Sequence, residues 1–193
     1  MRIVLAITGA SGAVYGLRLL EELLRCGQSV TLVSSDSGFA VCRFETGMEL
    51  GDGDLLKQRW GLPDADLTVR GVHDLWAPEA SGSAAPDAMV IAPCSMGTLG
   101  RIAAGISGNL IERAADVMLK ESRPLILLPR ETPFSAIHLE NMLRLSHAGA
   151  RIVPAMPAFY HQPHSLEDLV NFVVGKLLDQ LGVPHQLFKR WGA

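Results

Sequence analysis

The chain has 193 residues, 48% of them apolar, and 17 Lys and Arg against 20 Asp and Glu give a formal net charge of −3. That length and apolar content can bury a full core within one domain, 1–193, whose last stretch from about 182 reads as a tail. With no basic run, no apolar run of membrane-span length and no signal-peptide pattern, neither nucleic acid nor a membrane is expected as a partner, and the expected compartment is the cytoplasm.

Five apolar residues in six over Arg2–Ile7 read as a strand buried on both faces. The chain then turns on Thr8-Gly9-Ala10-Ser11-Gly12-Ala13, and helical periodicity resumes from Val14 to Leu20. A strand, a tight small-residue turn and a helix N-terminus present backbone N–H groups to an anion, and Ser11 adds a hydroxyl. A phosphate-bearing ligand is the expectation; a cap and turn without a ligand is the plainer alternative. Gly9, Gly12 and Gly16 do not form the G-x-G-x-x-G of dinucleotide sites. An acid after the Val30–Val33 strand, in Ser34-Ser35-Asp36, could hold a ribose, but NAD is the weaker reading beside a mononucleotide.

A helix is expected over Gly38–Phe44, then a polar stretch with a turn at Gly51-Asp52-Gly53 and a short helix around Leu55–Trp60. A weak strand follows near Leu67–Val72, and Ala77–Pro86 reads as a small-residue loop with no apolar anchor. Ala88–Ala92 is a central strand stopped by Pro93. Helices over Thr98–Ala104 and Asn109–Leu119 precede a buried strand, Pro124–Leu128. Then come a helix over Ser135–Ala148 ended by Gly149, a short strand Arg151–Val153, and a helix over Ser165–Leu181. This alternation, with short connections, predicts an α/β fold: a doubly wound parallel sheet in three layers.

In such a sheet a ligand lies beyond the carboxyl ends of the strands. The residues falling there are Thr8–Ser11, Ser34–Asp36, Pro93–Thr98 and Pro129–Thr132, with Arg130 and Glu131 as charged groups. Arg113 and Lys120 are seven residues apart, two helical turns, so both share a face. Such a face is either an anion site or a solvated basic stripe. Phe159-Tyr160-His161-Gln162-Pro163-His164 puts aromatic and imidazole groups on a loop where core packing would not explain them. The histidine spacings suit no shared metal, and lone histidines read as hydrogen-bonded surface groups. Cys26, Cys42 and Cys94 show no metal-ligand spacing and read as reduced core thiols. No metal is expected.

Several long stretches in order carry a resemblance over essentially the whole length. They are Thr8-Gly9-Ala10-Ser11-Gly12, Cys94-Ser95-Met96-Gly97-Thr98-Leu99, Glu112-Arg113-Ala114-Ala115-Asp116-Val117 leading to Leu119-Lys120-Glu121, and Pro129-Arg130-Glu131-Thr132-Pro133-Phe134. To these add His138-Leu139-Glu140-Asn141-Met142 and Phe159-Tyr160-His161-Gln162-Pro163. The chain resembles the flavin prenyltransferases of the UbiX type, Rossmann-like or flavodoxin-like flavoproteins related to the cysteine-type decarboxylases.

The resemblance implies transfer of a dimethylallyl group from dimethylallyl phosphate to N5 and C6 of reduced FMN, without metal. The prenylated FMN would serve a UbiD-type decarboxylase, and the assembly would be a homo-oligomer, usually a dodecamer, with sites shared between subunits. Carried over position by position, FMN contacts fall on Gly9, Ala10, Ser11, Ser35, Ser95, Met96, Gly97, Thr98 and Arg130. Donor contacts fall on Tyr160 and Lys176. Ser11, Glu45, Arg113, Lys120 and Glu131 are the implied catalytic groups, and Trp191 matches an aromatic near the tail. Three positions depart from the family pattern: Asp36 for Lys, Gly47 for Asp and Lys176 for Arg. The last keeps the charge and loses the fork, which bears on phosphate affinity.

Two other readings stay open. An FMN-dependent decarboxylase of the cysteine type would carry Pro-Ala-Ser-Ala-Asn-Thr where this chain has Pro93-Cys94-Ser95-Met96-Gly97-Thr98. An FMN carrier would need Arg130, Tyr160 and Lys176 for affinity alone and no prenyl donor.

Overall fold

A computed structural model describes residues 1–192. Strand β1 (Arg2–Ile7) leads through α1 (Ala13–Arg25) to β2 (Ser29–Ser34), then through α2 (Asp36–Thr46) and α3 (Gly53–Arg59) to β3 (Leu67–Arg70). The chain crosses back to β4 (Ala88–Cys94), followed by α4 (Met96–Ala103), α5 (Leu110–Lys120) and β5 (Leu125–Pro129). Helix α6 (Ala136–His147), β6 (Arg151–Ile152) and α7 (Leu166–Leu181) complete the order. The six strands run β3-β2-β1-β4-β5-β6, and every pairing is parallel.

Alternation along the strands sends successive side chains to opposite faces, and both faces are apolar here. Ile3, Leu5 and Ile7 join Leu32, Val90 and Leu128 under α1 and α7. Val4 and Ala6 join Met89, Ile91 and Leu127 under α4 and α5. Each fully buried Leu or Ile contributes about 1.5–3 kcal/mol before the entropy of ordering is subtracted. Two glycines let helices approach the sheet: a Cβ on Gly16 would lie 2.2 Å from the Ala92 carbonyl oxygen, and one on Gly38 2.3 Å from that of Ile7.

The three-layer parallel sheet agrees with the sequence reading, and four local expectations are corrected. Pro93 does not stop β4, which runs on to Cys94. The β4–β5 register shifts between Ile91 and Cys94, so the missing N–H falls at an irregularity, and the Pro93 carbonyl is used by Thr8. Ala77–Pro86 has apolar anchors: Ala77 and Ala85 are buried, and two short 3-10 turns, Pro78–Ala80 and Gly82–Ala84, lie against α5. Cys26 is exposed while Cys42 and Cys94 are buried, so only two of the thiols belong to the core. Asn109, Ser135 and Ser165 stand just outside their helices, because each side chain accepts an N–H from the first turn. Among the described residues no helix is long and apolar enough to cross a membrane.

Candidate active site

Strand order reverses between β1 and β4, which opens a crevice beyond their carboxyl ends. Thr8, 1% exposed, ties its two walls together. Its hydroxyl donates to the Pro93 carbonyl at 2.8 Å and accepts from the Ser95 N–H at 2.8 Å, while its own N–H reaches the Pro93 carbonyl at 3.2 Å. Thr8 falls in the crevice stretch expected from sequence, and its contacts show it holding the two loops together.

The N-terminus of α1 is not left open to a phosphate. Glu45, from the last turn of α2, accepts from the Gly12 N–H at 3.0 Å and the Ala13 N–H at 2.9 Å. Gly12 adopts φ +104°, which a side chain disfavours, and this aims both N–H groups at the carboxylate. Burial pushes the Glu45 carboxyl up, but the Ser11 hydroxyl, the two N–H groups and the Arg130 charge outweigh it and hold the group below the ordinary range. The expectation of a free anion-binding helix end is therefore corrected: the anion at those two amides is Glu45. Charge attraction to a helix N-terminus is satisfied within the chain.

The other loops remain available. Ser35 caps α2 by accepting from the Gly38 N–H at 3.0 Å, and its oxygen lies 3.2 Å from Ser37 Oγ. A Cβ on Gly9 would sit 2.4 Å from that Ser37 oxygen, so the glycine admits the first turn of α2 to the crevice. Ser37 is a residue that sequence reasoning missed, and its position in the first turn of a Ser-capped helix is the signal that could have found it. Ser95 caps α4, accepting from the Thr98 N–H at 3.3 Å and donating to Thr98 Oγ1 at 3.0 Å. Ala10, Met96 and Thr98 are buried around this turn, and a Cβ on Gly97 would meet nothing closer than Arg101 at 4.0 Å. Cys94 beneath it is a neutral thiol, pushed up to about 12 by burial.

Arg130 donates to the Ser11 carbonyl at 2.9 Å and so lies across the β1–α1 loop. Glu131 beside it accepts from the Thr132 N–H at 3.0 Å. The crevice thus gathers Gly9, Ser11, Ser35, Glu45, Ser95–Thr98, Arg130 and Glu131. Two helix N-termini, paired hydroxyls, a guanidinium and an open floor over Gly97 suit a phosphate-bearing planar ligand such as FMN. Among the described residues no group of three or more His, Cys, Asp or Glu could hold a metal ion.

Arg113 and Lys120 do not join that crevice within one chain. Helix α5 begins beside Val72, whose carbonyl accepts the Leu110 N–H, and runs toward the amino end of β5. Arg113 reaches the Ala80 carbonyl at 3.0 Å and Asp116 at 2.6 Å, and Lys120 pairs with Glu121. Lys120 therefore lies at the opposite end of the sheet.

The Tyr160 region forms a second cluster. Tyr160 meets Trp191 edge-on at 5.3 Å and Phe172 at 5.7 Å. His161 stacks on Phe172 at 5.1 Å with 9° between planes, and Phe188 packs on Phe172 at 4.9 Å. Packing accounts for His161, which lies against Phe172 and Phe188 where the segment after α7 folds back over its helix, while Phe159 and Tyr160 remain exposed as expected of rings on a loop. Two histidines are corrected as well: His161 has both ring nitrogens buried without a partner among the described residues, and His185 is buried against Asp179. Tyr160, His161, Arg190 and Trp191 line a cavity of about 430 Å³. Lys176 stands apart from its lining and pairs with Asp179 at 3.5 Å.

Comparison with known proteins agrees with this geometry. A family model described as Flavoprotein matches residues 1–178. A protein of Pseudomonas aeruginosa named flavin prenyltransferase UbiX is 54% identical over 99% of this chain and 94% of its own length. The crystal structure of AnUbiX (PadA1) in complex with FMN and dimethylallyl pyrophosphate superposes with a TM-score of 0.90 at 43% identity, covering 100% of this chain and 97% of that one. A dodecameric FMN-dependent UbiX-like decarboxylase from Escherichia coli O157:H7 superposes with a TM-score of 0.90 at 41% identity over the full length of both chains.

Proposed function

The chain belongs to the UbiX flavin prenyltransferase family, and on that premise we propose that it transfers a dimethylallyl group from dimethylallyl phosphate to N5 and C6 of reduced FMN. The observation that carries the reading is the crevice at the β1–β4 switch point, where Ser35 and Ser37, Ser95 and the open Gly97, and Arg130 bound to the Ser11 carbonyl all follow the carboxyl ends of strands.

FMN supplies the nucleophilic ring, and the chain does the rest. Hydroxyls of Ser35 and Ser37 with the N-termini of α2 and α4 hold its phosphate. Arg130, tethered to the Ser11 carbonyl, brings positive charge between the crevice and the donor. Tyr160 and Lys176 hold the donor phosphate and stabilise its charge as the C–O bond breaks. The aromatic wall of Tyr160 and Trp191 keeps water from the allylic cation. Glu131 takes the proton displaced when the ring closes at C6, and Glu45 with Ser11 fixes the loop beneath.

Arg113, engaged by the Ala80 carbonyl and Asp116, and Lys120, at the far end of α5, would serve the donor site of a neighbouring subunit. Exposed Phe44, Trp76, Leu139, Phe159 and Leu166 support a homo-oligomer, and the dodecameric relative supports twelve copies. A UbiD-type decarboxylase would receive the product, in the cytoplasm.

Anaerobic incubation with reduced FMN and dimethylallyl phosphate, followed by mass analysis of the released flavin, tests the reading. A flavin heavier by one prenyl group is expected. Bound FMN of unchanged mass would support a carrier, and carbon dioxide release from a cysteine-terminated peptide would support the decarboxylase. Glu131→Gln should bind both ligands and stall before ring closure.

A further inference from the structure

One carboxylate in the Tyr160 region gathers three hydrogen bonds and an ion pair. Asp179, in the last turns of α7, accepts from Arg190 Nη2 at 2.7 Å and from His185 Nε2 at 3.2 Å on Oδ1. On Oδ2 it accepts from Arg190 Nη1 at 3.2 Å and faces Lys176 Nζ at 3.5 Å. Two carboxylate oxygens offer about four lone-pair directions; Arg190 and His185 fill three, and Lys176 faces the carboxylate at ion-pair distance. Two of the partners, His185 and Arg190, lie beyond the end of α7; the third, Lys176, lies on it. We propose that Asp179 is a positioning residue for the donor end of the site: it straps the segment carrying Trp191 against Tyr160 and holds Lys176 on the carboxylate it shares with the cavity-lining Arg190 until a phosphate takes it. This rests on the prenyl-donor reading given above.

Three observations separate the strap from the parked cation. The Arg190 contact is a bidentate fork, the geometry that holds a guanidinium most firmly on a carboxylate. Arg190 is further fixed with its guanidinium carbon 5.5 Å from the Phe188 ring centre, and His185 is buried. A Cβ on Gly175 would lie 2.5 Å from Phe188 and 2.6 Å from His185, so α7 is cut away where the strap crosses it. Lys176, by contrast, makes the longest contact, has one half-exposed flexible stem, and shares Oδ2 with Arg190. It is the partner that can leave.

Charge supports the same division. One carboxylate faces the permanent charges of Arg190 and Lys176, and Lys189 lines the same cavity as Arg190, Tyr160 and Trp191. The rim is left positive, which suits an arriving phosphate. A phosphate that draws Lys176 away leaves Asp179 its Arg190 fork, so the wall stays shut while the donor is held. In this chain Lys stands where some relatives have Arg, and a single flexible ammonium is the group best able to change partner.

Trypsin reads the strap directly, because Lys189 and Arg190 are its cleavage residues and both lie in the strapped segment. The experiment uses the full-length, assembled, FMN-loaded protein. Asp179→Asn should speed native-state cleavage there at least tenfold, raise the dissociation constant and KM for dimethylallyl phosphate about tenfold or more, and leave FMN affinity and kcat much less changed. Asp179→Glu should restore part of both. Native protection in Asp179→Asn, or faster cleavage with unchanged donor affinity, would overturn the proposal. If Asp179→Asn does not fold, Arg190→Gln removes the fork and must show the same pair of effects, with cleavage read at Lys189, the tryptic site it leaves; its failure to do so also overturns it. Wild-type protein that bound no dimethylallyl phosphate would overturn the donor reading, and the proposal with it. That differs from the proposal's own failure, in which wild type and Asp179→Asn bind alike.

Discussion

The crevice between β1 and β4 and the aromatic region around Tyr160 are built on opposite principles. The crevice is made of short loops pinned by hydrogen bonds to backbone: Thr8 to Pro93 and Ser95, Glu45 to Gly12 and Ala13, Arg130 to Ser11. Its geometry is set before any ligand arrives, as a phosphate and ring site requires. The Tyr160 region is side chain on side chain, with rings stacked and ions paired across the end of α7. Trp191 is 81% exposed, and the Asp179 contacts are partly solvated. Groups held that way open at low cost. A rigid holder for the flavin beside a movable cover for the donor is the lesson of the pair.

The sharpest way to break the comparison is to deform the rigid half. Gly38→Ala would press a Cβ to 2.3 Å from the Ile7 carbonyl oxygen, a backbone atom in a central strand that cannot swing aside. We expect a loss of about 3 kcal/mol in chemical denaturation together with loss of FMN retention. Unchanged flavin retention would show that the crevice is more compliant than its bonding implies.

Thr8→Val probes the same half more gently, since it keeps volume and removes the hydroxyl that bridges two walls. The Ser95 N–H would lose its acceptor, the Pro93 carbonyl would keep only the Thr8 N–H, and the expected cost is about 1–3 kcal/mol with weaker FMN binding. Flavin fluorescence titration beside urea unfolding checks both parts.

The two halves were not equally legible in the sequence. The crevice followed from local patterns: a branched apolar strand, small residues, a Ser cap, and the rule that parallel sheets bind at strand ends. Glu45 at the α1 amides was not legible, because it reaches 33 residues back through a helix whose packing no spacing reveals. The strand continuing through Pro93 was hidden for a related reason: its tolerance depends on a register shift in the neighbouring strand. His161 was read as unpacked because a ring on a loop looks exposed until the segment after α7 is folded over it. Asp179 carried one visible signal, its i,i+3 spacing from Lys176, which alone marks only a surface ion pair.

Acid treats the halves alike. Bonding to the Ser11 hydroxyl and to the Gly12 and Ala13 amides overcomes burial and holds the Glu45 carboxyl below its ordinary range, and the Arg190 fork does the same for Asp179. A native value depressed below the unfolded one contributes stability that is complete above the unfolded value and lost as pH falls through the native one. Stability should therefore be flat near neutrality and decline from about pH 4 downward. Glu45→Gln keeps an acceptor for the two amides but loses the charge at the helix end. It should cost about 0.3–1 kcal/mol at neutral pH and flatten part of the acid decline, as pH-dependent unfolding would record.

Tyr160→Phe should disturb the fold least, and it sharpens the contrast between holding a cover and holding a ligand. The ring packs against His161, Phe172 and Trp191, and phenylalanine keeps each of those edge contacts. The hydroxyl makes no hydrogen bond among the described residues, so its removal takes nothing from the fold. Stability should stay within about 0.5 kcal/mol of wild type. In the proposed reaction that hydroxyl donates to the departing phosphate, and a lost charge-assisted bond of about 1.5–3 kcal/mol weakens donor binding roughly ten- to a hundredfold. FMN binding, housed in the other half, should not move. Calorimetric titration with dimethylallyl phosphate, beside thermal unfolding of the same sample, measures both quantities. A variant with weakened FMN and intact donor affinity would reverse the assignment of the two halves.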